Sequence, residues 1–260
     1  MRRTSRSVAV IAWIAISVIC IPVIGLFVRV PWTRLDDLFA NNAVGDALWI
    51  SLQSSLIATA LCLLLGVPLA WVMANTSART HSLLRAVVTI PVVLPPVVGG
   101  IALLAALGRN GLFGGVLESI GISLPFTRSA VVLSQVFVAM PFLVLAVENH
   151  FRSLDSGIIA ASRVMGMSPT RSFFLVVLPL SRSAITAGVV LAWARSIGEF
   201  GASITFAGSL RGETQTLPMA VYELLERDWE LAMGLSAFMV VIAVAVIVGL
   251  RSRLVTARMS

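Results

Sequence analysis

The chain has 260 residues, 58% of them hydrophobic and only 12% charged, with a mean hydropathy of +0.98. Soluble domains are about a quarter charged, so a water-soluble globule is excluded; the composition is that of an all-α polytopic membrane protein, one domain whose spans of ~20 residues use most of the length. All nineteen basic residues are arginine; the lack of lysine excludes a phosphate-loop nucleotide site and Schiff-base catalysis, so no enzyme is expected and ATP-derived work must come from another subunit.

The first apolar run is Val8 to Val30, preceded by Arg2, Arg3 and Arg6. It exceeds a signal-peptide core and lacks a small-x-small cleavage motif, so residues 1–30 read as a short tail and a retained span. Further spans are expected over 48–73, 86–107, 129–147, 173–197 and 231–250, giving six in all and a transmembrane domain over 46–250. Between the fourth and fifth lies a polar loop over 150–172, and 251–260 reads as a tail that leaves no room for an appended regulatory domain. Cys20 and Cys62 fall inside apolar runs, where free thiols behave as small apolar side chains. His81 and His150 lie at span ends. No disulfide, metal site or cofactor is expected. The longest outer loop, Ser203 to Glu230, holds a short amphipathic stretch, Met219 to Arg227, behind Pro218.

An isoelectric point near 11.3 raises nucleic acid as a partner, but the arginines are scattered at span edges rather than clustered. They set topology instead. With the N-terminus inside, Arg2, Arg3, Arg6, Arg79, Arg85, Arg152, Arg163, Arg171, Arg251, Arg253 and Arg258 are cytoplasmic, against Arg29, Arg34, Arg109, Arg128, Arg211 and Arg227 outside. This bias predicts that both termini are cytoplasmic, and it places the 150–172 loop on the ATP side.

That loop is built to project. Asp155 and Ser156 suit the cap of a short helix through Ala160 to Met165, Gly166 its stop, and Ser168 with Pro169 the start of a second helix. Two short helices at an angle make a knob. Small residues on its surface permit close approach by a partner, and Arg163 and Arg171 supply polar contacts.

The spacing Ala160-Ala161-Ser162, three residues, Gly166, nine residues, Val176, one residue, Leu178-Pro179 resembles the signature loop of the membrane subunits of ABC importers. In that family the pattern is Glu-Ala-Ala, three residues, Gly, nine residues, Ile, one residue, Leu-Pro. The resemblance implies that Ala160, Ala161, Ser162, Arg163, Gly166, Met167, Ser168, Pro169, Leu178 and Pro179 form the loop that couples the chain to an ABC ATPase. Ala160 stands where the family carries Glu, so any contact made by that carboxylate is missing here. The runs Pro91 to Gly100, Ala194 to Phe206 and Gly212 to Pro218 resemble the molybdate branch of the family, and sulfate-importing subunits share much of the pattern. The resemblance implies two ATPase copies, a homodimer of this chain in the lipid bilayer of a prokaryotic cell membrane, and an extracytoplasmic oxyanion-binding protein that delivers molybdate or tungstate.

A doubly charged oxyanion needs an attraction weak enough to release it. Backbone N–H groups at broken helices supply one, and transporters place such breaks at their pathways. Pro91, Pro95 and Pro96 with Gly99-Gly100, and Gly198 and Gly201 flanking Glu199, with Ser203 beyond, are the candidates for path or gate; helix packing is the alternative for the glycines. Arg195 and Glu199, four residues apart, share a helix face and are expected to form a structural ion pair, with a gate or anion-sensing role as the alternative. A sulfate importer, and more distantly an intramembrane enzyme or a membrane anchor, are the competing readings; no catalytic constellation emerges among Glu148, Asp155 and the two histidines.

Overall fold

The computed structural model describes residues 5–40 and 42–256, so Arg2, Arg3 and Arg258, used above for orientation, lie outside the described residues. All regular elements among the described residues are helical. They are α1 (Arg6–Val28), α2 (Leu35–Ala40), α3 (Asn42–Ala74), α4 (Ala78–Val93), α5 (Pro96–Leu107), α6 (Gly114–Ser119), α7 (Arg128–Ser153) and α8 (Ser156–Val164). After α8 come α9 (Pro169–Leu180), α10 (Arg182–Ile197), α11 (Gly201–Ala207), α12 (Leu217–Arg227) and α13 (Trp229–Thr256).

Three helices are individually long and apolar enough to cross a bilayer: Ser7–Val28, Asn42–Ala74 and Arg128–Ser153. Two of the expected spans are broken, the one that its prolines were expected to disturb and one that was expected to be continuous. The 86–107 segment is part of α4 and α5, which meet at a 114° bend. Pro95 and Pro96 cannot donate backbone hydrogen bonds, and Leu94 before them takes an extended conformation (φ −66°, ψ 135°), as a residue preceding proline does. The 173–197 segment is split by a 77° bend at Ser181 between α9 and α10. Counting each bent pair as one span gives five. The last helix, α13, stays helical to Thr256, into the segment expected as a tail.

The core is a bundle of α3, α7 and α10. Ala58, Cys62, Ala70, Met73, Ala139, Leu143, Val144, Val147 and Ala192 are buried in it. Small residues let these helices approach closely: a Cβ on Gly66 would meet Leu143 at 3.0 Å and Val144 at 3.1 Å, and one on Gly188 would meet Val147 at 3.2 Å. By contrast, α1 has no buried residue in its apolar window.

Helix α7 serves as a depth scale. Along it, Val131 packs with Phe206 and Ala207, Ser134 bonds Ser203, Phe137 faces Gly99, and Glu148 meets His81. At ~1.5 Å per residue, the α4–α5 and α10–α11 breaks sit about half-way along α7, with α5 and α11 running side by side toward its N-terminal end.

The segment expected as a loop from Ser203 is ordered. Ser203 belongs to α11, the turn begins at Gly208, and Thr214, Gln215 and Thr216 are buried. The Leu217 N–H donates to Ser51 Oγ at 2.7 Å, and the Arg128 guanidinium donates to the carbonyls of Gly212 at 2.9 Å and Glu213 at 3.3 Å.

Candidate functional site

The knob follows from its capping residues. Asp155 Oδ1 accepts the Gly157 N–H at 2.8 Å and starts α8. Gly166 ends it at φ +80°, where the Gly166 N–H donates to the Arg163 carbonyl at 2.9 Å and the Met167 N–H to the Ser162 carbonyl at 3.1 Å. Ser168 Oγ accepts the Arg171 N–H at 3.2 Å, with Pro169 in the first helical position of α9. The two legs are stapled by a hydrogen bond between the Ser162 and Ser172 hydroxyls, both buried. Ser162 therefore lies inside the knob rather than on its contact surface. Ala160, Ala161, Arg163, Gly166, Ser168, Pro169 and Arg171 are exposed, and Met167 is half-buried. Val164 at 89% and Met165 at 70% exposure make the tip apolar.

The root of the knob is anchored by aromatic packing. Trp71 of α3 stacks edge-on against Phe151 of α7 at 5.3 Å and lies 5.5 Å from Phe173 of α9. Phe173 opens a π-helical turn through Val177. Pro179 lacks the N–H that the Leu175 carbonyl would accept in a regular helix, which favours the widened turn. Leu178 packs on the core and Pro179 is exposed.

The half-depth breaks meet each other. A Cβ on Gly100 would lie 2.6 Å from Thr205 Cβ and 2.7 Å from the Ala202 carbonyl oxygen, and one on Gly201 would lie 2.7 Å from Pro96 Cβ. Gly99 is buried against the Phe137 ring, and Ser203 shares a 2.7 Å hydrogen bond with Ser134. Glu199, 1% exposed, accepts the Ala202 N–H at 2.8 Å through Oε1, while the Arg195 guanidinium stands 2.6 Å from Oε2. Gly99, Glu199, Gly201 and Ser203 are thus packed within the chain, whereas Pro95, Pro96 and Gly198 are exposed. At the start of α11, then, a carboxylate already occupies the Ala202 N–H, one of the backbone donors at that break.

One cluster escaped the sequence reading. Glu148, placed at a span edge, is fully buried. His81 Nε2 lies 2.9 Å from its Oε1, Arg85 3.6 Å from Oε2 and Arg152 3.7 Å from Oε1. The available signal was spacing: His81 and Arg85 are four apart, as are Glu148 and Arg152. On the opposite face, Arg34 pairs with Asp228 at 2.8 Å, Glu230 at 2.7 Å and Asp37 at 3.4 Å. The Arg34 hydrogen bond, with the Leu231 N–H, holds the Asp228 carboxyl below its usual range. The Arg211 hydrogen bond does the same to Glu223, aided by Gln215 and Arg227 and opposed by burial.

A helical membrane chain with a rigidly rooted knob at one end, and with two helix breaks packed against each other half-way along α7, has the build of a membrane transport subunit. The sequence matches the family described as "Binding-protein-dependent transport system inner membrane component" over residues 66–260, and the chain belongs to that family, whose members are transport components rather than enzymes. It is 42% identical over 235 residues to the molybdenum transport system permease protein ModB of Mycobacterium tuberculosis, covering 90% of this chain and 89% of that one. The ModB protein of Escherichia coli is 38% identical over 182 residues, covering 70% of this chain and 80% of its own length. The sulfate transport system permease protein CysW of Escherichia coli is 34% identical over 233 residues, covering 88% and 80%. In fold, the chain is similar to a chain of a bacterial ABC transporter involved in the import of the acidic polysaccharide alginate, with a TM-score of 0.72 at 16% identity over 96% of both chains. It also resembles the MetNI methionine ABC transporter in inward facing conformations, with a TM-score of 0.63 at 16% identity, covering 81% of this chain and 94% of that one.

Proposed function

We propose that the chain is the permease subunit of an ATP-driven molybdate importer that also accepts tungstate. The observation that carries the reading is the capped knob, Asp155 to Arg171, whose spacing matches the coupling loop of the family and whose tip is exposed. Two copies of the chain enclose the path, each passing its knob to one of two ABC ATPase subunits, while an extracytoplasmic binding protein delivers the oxyanion. Both termini are cytoplasmic and the spans number six: α1, α3, the bent pairs α4–α5 and α9–α10, α7 and α13. Alternating access follows when nucleotide-driven closure of the ATPases brings the knobs together and the half-depth breaks shift. Pro95, Pro96 and Gly198, exposed where α5 and α11 meet, line the path; Gly100 and Gly201 hold the two helices together behind them, and Gly99 and Ser203 seat them against Phe137 and Ser134 of α7.

Without Glu at position 160, docking rests on the apolar tip, Val164 and Met165, with Arg163 and Arg171 at its sides. Molybdate is favoured over sulfate because identity to the ModB proteins of Mycobacterium tuberculosis and Escherichia coli exceeds that to CysW. The test is uptake of radiolabelled molybdate into proteoliposomes holding the permease, its ATPase and its binding protein. Competition by tungstate and not by a hundredfold excess of sulfate is expected; equal competition by sulfate would transfer the chain to the sulfate class.

A further inference from the structure

Glu148 is a buried carboxylate facing three cationic or titratable side chains from two helices, and neither substrate passage nor knob capping uses it. Its surroundings explain what it can do. Helix α4 has no fully buried side chain; Leu84 and Val88, half-buried, are its apolar contacts with the core. Its firmest polar hold is therefore His81 on Glu148 Oε1 at 2.9 Å. Glu148 itself is anchored. Three residues further along α7, Phe151 packs with Trp71 and Phe173 at the root of the knob, and α7 ends at Ser153, two residues before the Asp155 cap. Knob, α7 end and α3 are thus one packed body, and Glu148 is where α4 is fastened to it. At its far end α4 meets the 114° bend into α5, which Gly100 and Gly201 clamp to α11.

The geometry of the fastening allows two states. His81 is at hydrogen-bond distance, but Arg85 at 3.6 Å and Arg152 at 3.7 Å are just beyond it. A small slide of α4 along α7 would close Arg85 on Oε2 as His81 withdraws, so the carboxylate stays paired in both positions. A buried carboxylate stripped of partners is strongly disfavoured; Arg152, four residues on along α7, travels with Glu148, so the exchange of His81 for Arg85 would give α4 two positions in which it adds a partner of its own.

We propose that Glu148 is the positioning residue that passes displacement of the knob to α4, and through it to the broken helices at half depth. This rests on the importer reading above. The experiment uses the full transporter in proteoliposomes and measures molybdate taken up per ATP hydrolysed in wild type, Glu148→Gln, His81→Gln and Arg85→Gln. The expected result for Glu148→Gln is continued ATP hydrolysis with molybdate per ATP reduced about tenfold, within the range usual for coupling between sites, and a smaller reduction for each of the other two. A merely structural ion pair would lower uptake and hydrolysis together, through the amount of assembled complex, and leave the ratio at the wild-type value; that outcome overturns the proposal. If Glu148→Gln fails to assemble, the His81 and Arg85 variants decide, since both side chains reach the surface (13% and 45% exposed), and an unchanged ratio in both also overturns it. Absence of ATP-dependent molybdate uptake in wild type would instead refute the importer reading, independently of Glu148.

Discussion

Two adjacent glycines provide a stringent test of the packing between the broken helices. A methyl group on Gly100 would sit 2.6 Å from Thr205 Cβ and 2.7 Å from the Ala202 carbonyl oxygen, whereas unstrained carbon pairs rest at about 3.5–4.0 Å. Because the obstacles are a Cβ and a backbone atom, no side-chain rotation relieves them, and α5 must move from α11 by about 1 Å. Overpacking of this kind costs about 1–3 kcal/mol, offset by about 0.5–1 kcal/mol because alanine is the better helix former. A methyl on Gly99 would meet only the Phe137 ring, at 3.1 Å, and a ring edge can yield by a few tenths of an ångström. Gly100→Ala is therefore expected to lose up to about 2.5 kcal/mol, which lowers the unfolding midpoint by up to about 10 °C for a chain of this size; Gly99→Ala, with the helix gain and little clash, should match or exceed wild type. Thermal unfolding of the detergent-solubilised complex, at one scan rate for all variants, measures the difference. Equal midpoints for Gly99→Ala and Gly100→Ala would refute the close approach of α5 and α11.

Three further outcomes are expected. Gly166→Ala should destabilise the knob by about 1 kcal/mol through the left-handed backbone alone, since nothing lies within 4 Å of the added carbon; hydrogen exchange over residues 156–172 reads it. Ser162→Ala leaves the buried Ser172 hydroxyl without its partner, which costs about 1–3 kcal/mol, and the double variant with Ser172→Ala should cost less than the sum of the singles in the same assay. The 208–228 segment should resist proteolysis at neutral pH and lose protection in acid. Asp228 and Glu223 have folded-state values held below their ordinary range, so their contribution is complete above the unfolded values of about 4 and disappears as pH falls through the lower folded ones; protection that fades already between about pH 7 and 5 would contradict this.

Features set by local chemistry were legible in the sequence. Asp155, Gly166, Ser168 and Pro169 each fix the backbone within a residue or two, and the knob forms where they place it. Pro95 and Pro96 signalled a disturbed span, although not a bend of 114°, because that angle depends on α5 packing against α11. The Arg195–Glu199 contact followed from a separation of four on one helix. What was not legible depended on distant partners. Ser162 looked like a small surface residue because its partner, Ser172, belongs to the other leg. Glu148 looked like an edge charge because His81 and Arg85 reach it from another helix. The Ser181 bend was not anticipated, although Pro179 and the polar run Ser181-Arg182-Ser183 interrupt the apolar segment there, and Glu199 was read as Arg195's partner or a gate although it also accepts the Ala202 N–H at the start of α11.

In the proposed importer, the knob transmits ATP hydrolysis to molybdate movement. Since Gly166 faces open space within the chain, Gly166→Ala and Gly166→Trp carry the same backbone cost and differ only in what a docked partner would meet. Molybdate taken up per ATP hydrolysed, measured for both variants in proteoliposomes at matched amounts of assembled complex, separates the two effects. A ratio near wild type is expected for Gly166→Ala and a ratio reduced at least about tenfold for Gly166→Trp. A wild-type ratio in Gly166→Trp would contradict transmission through the knob.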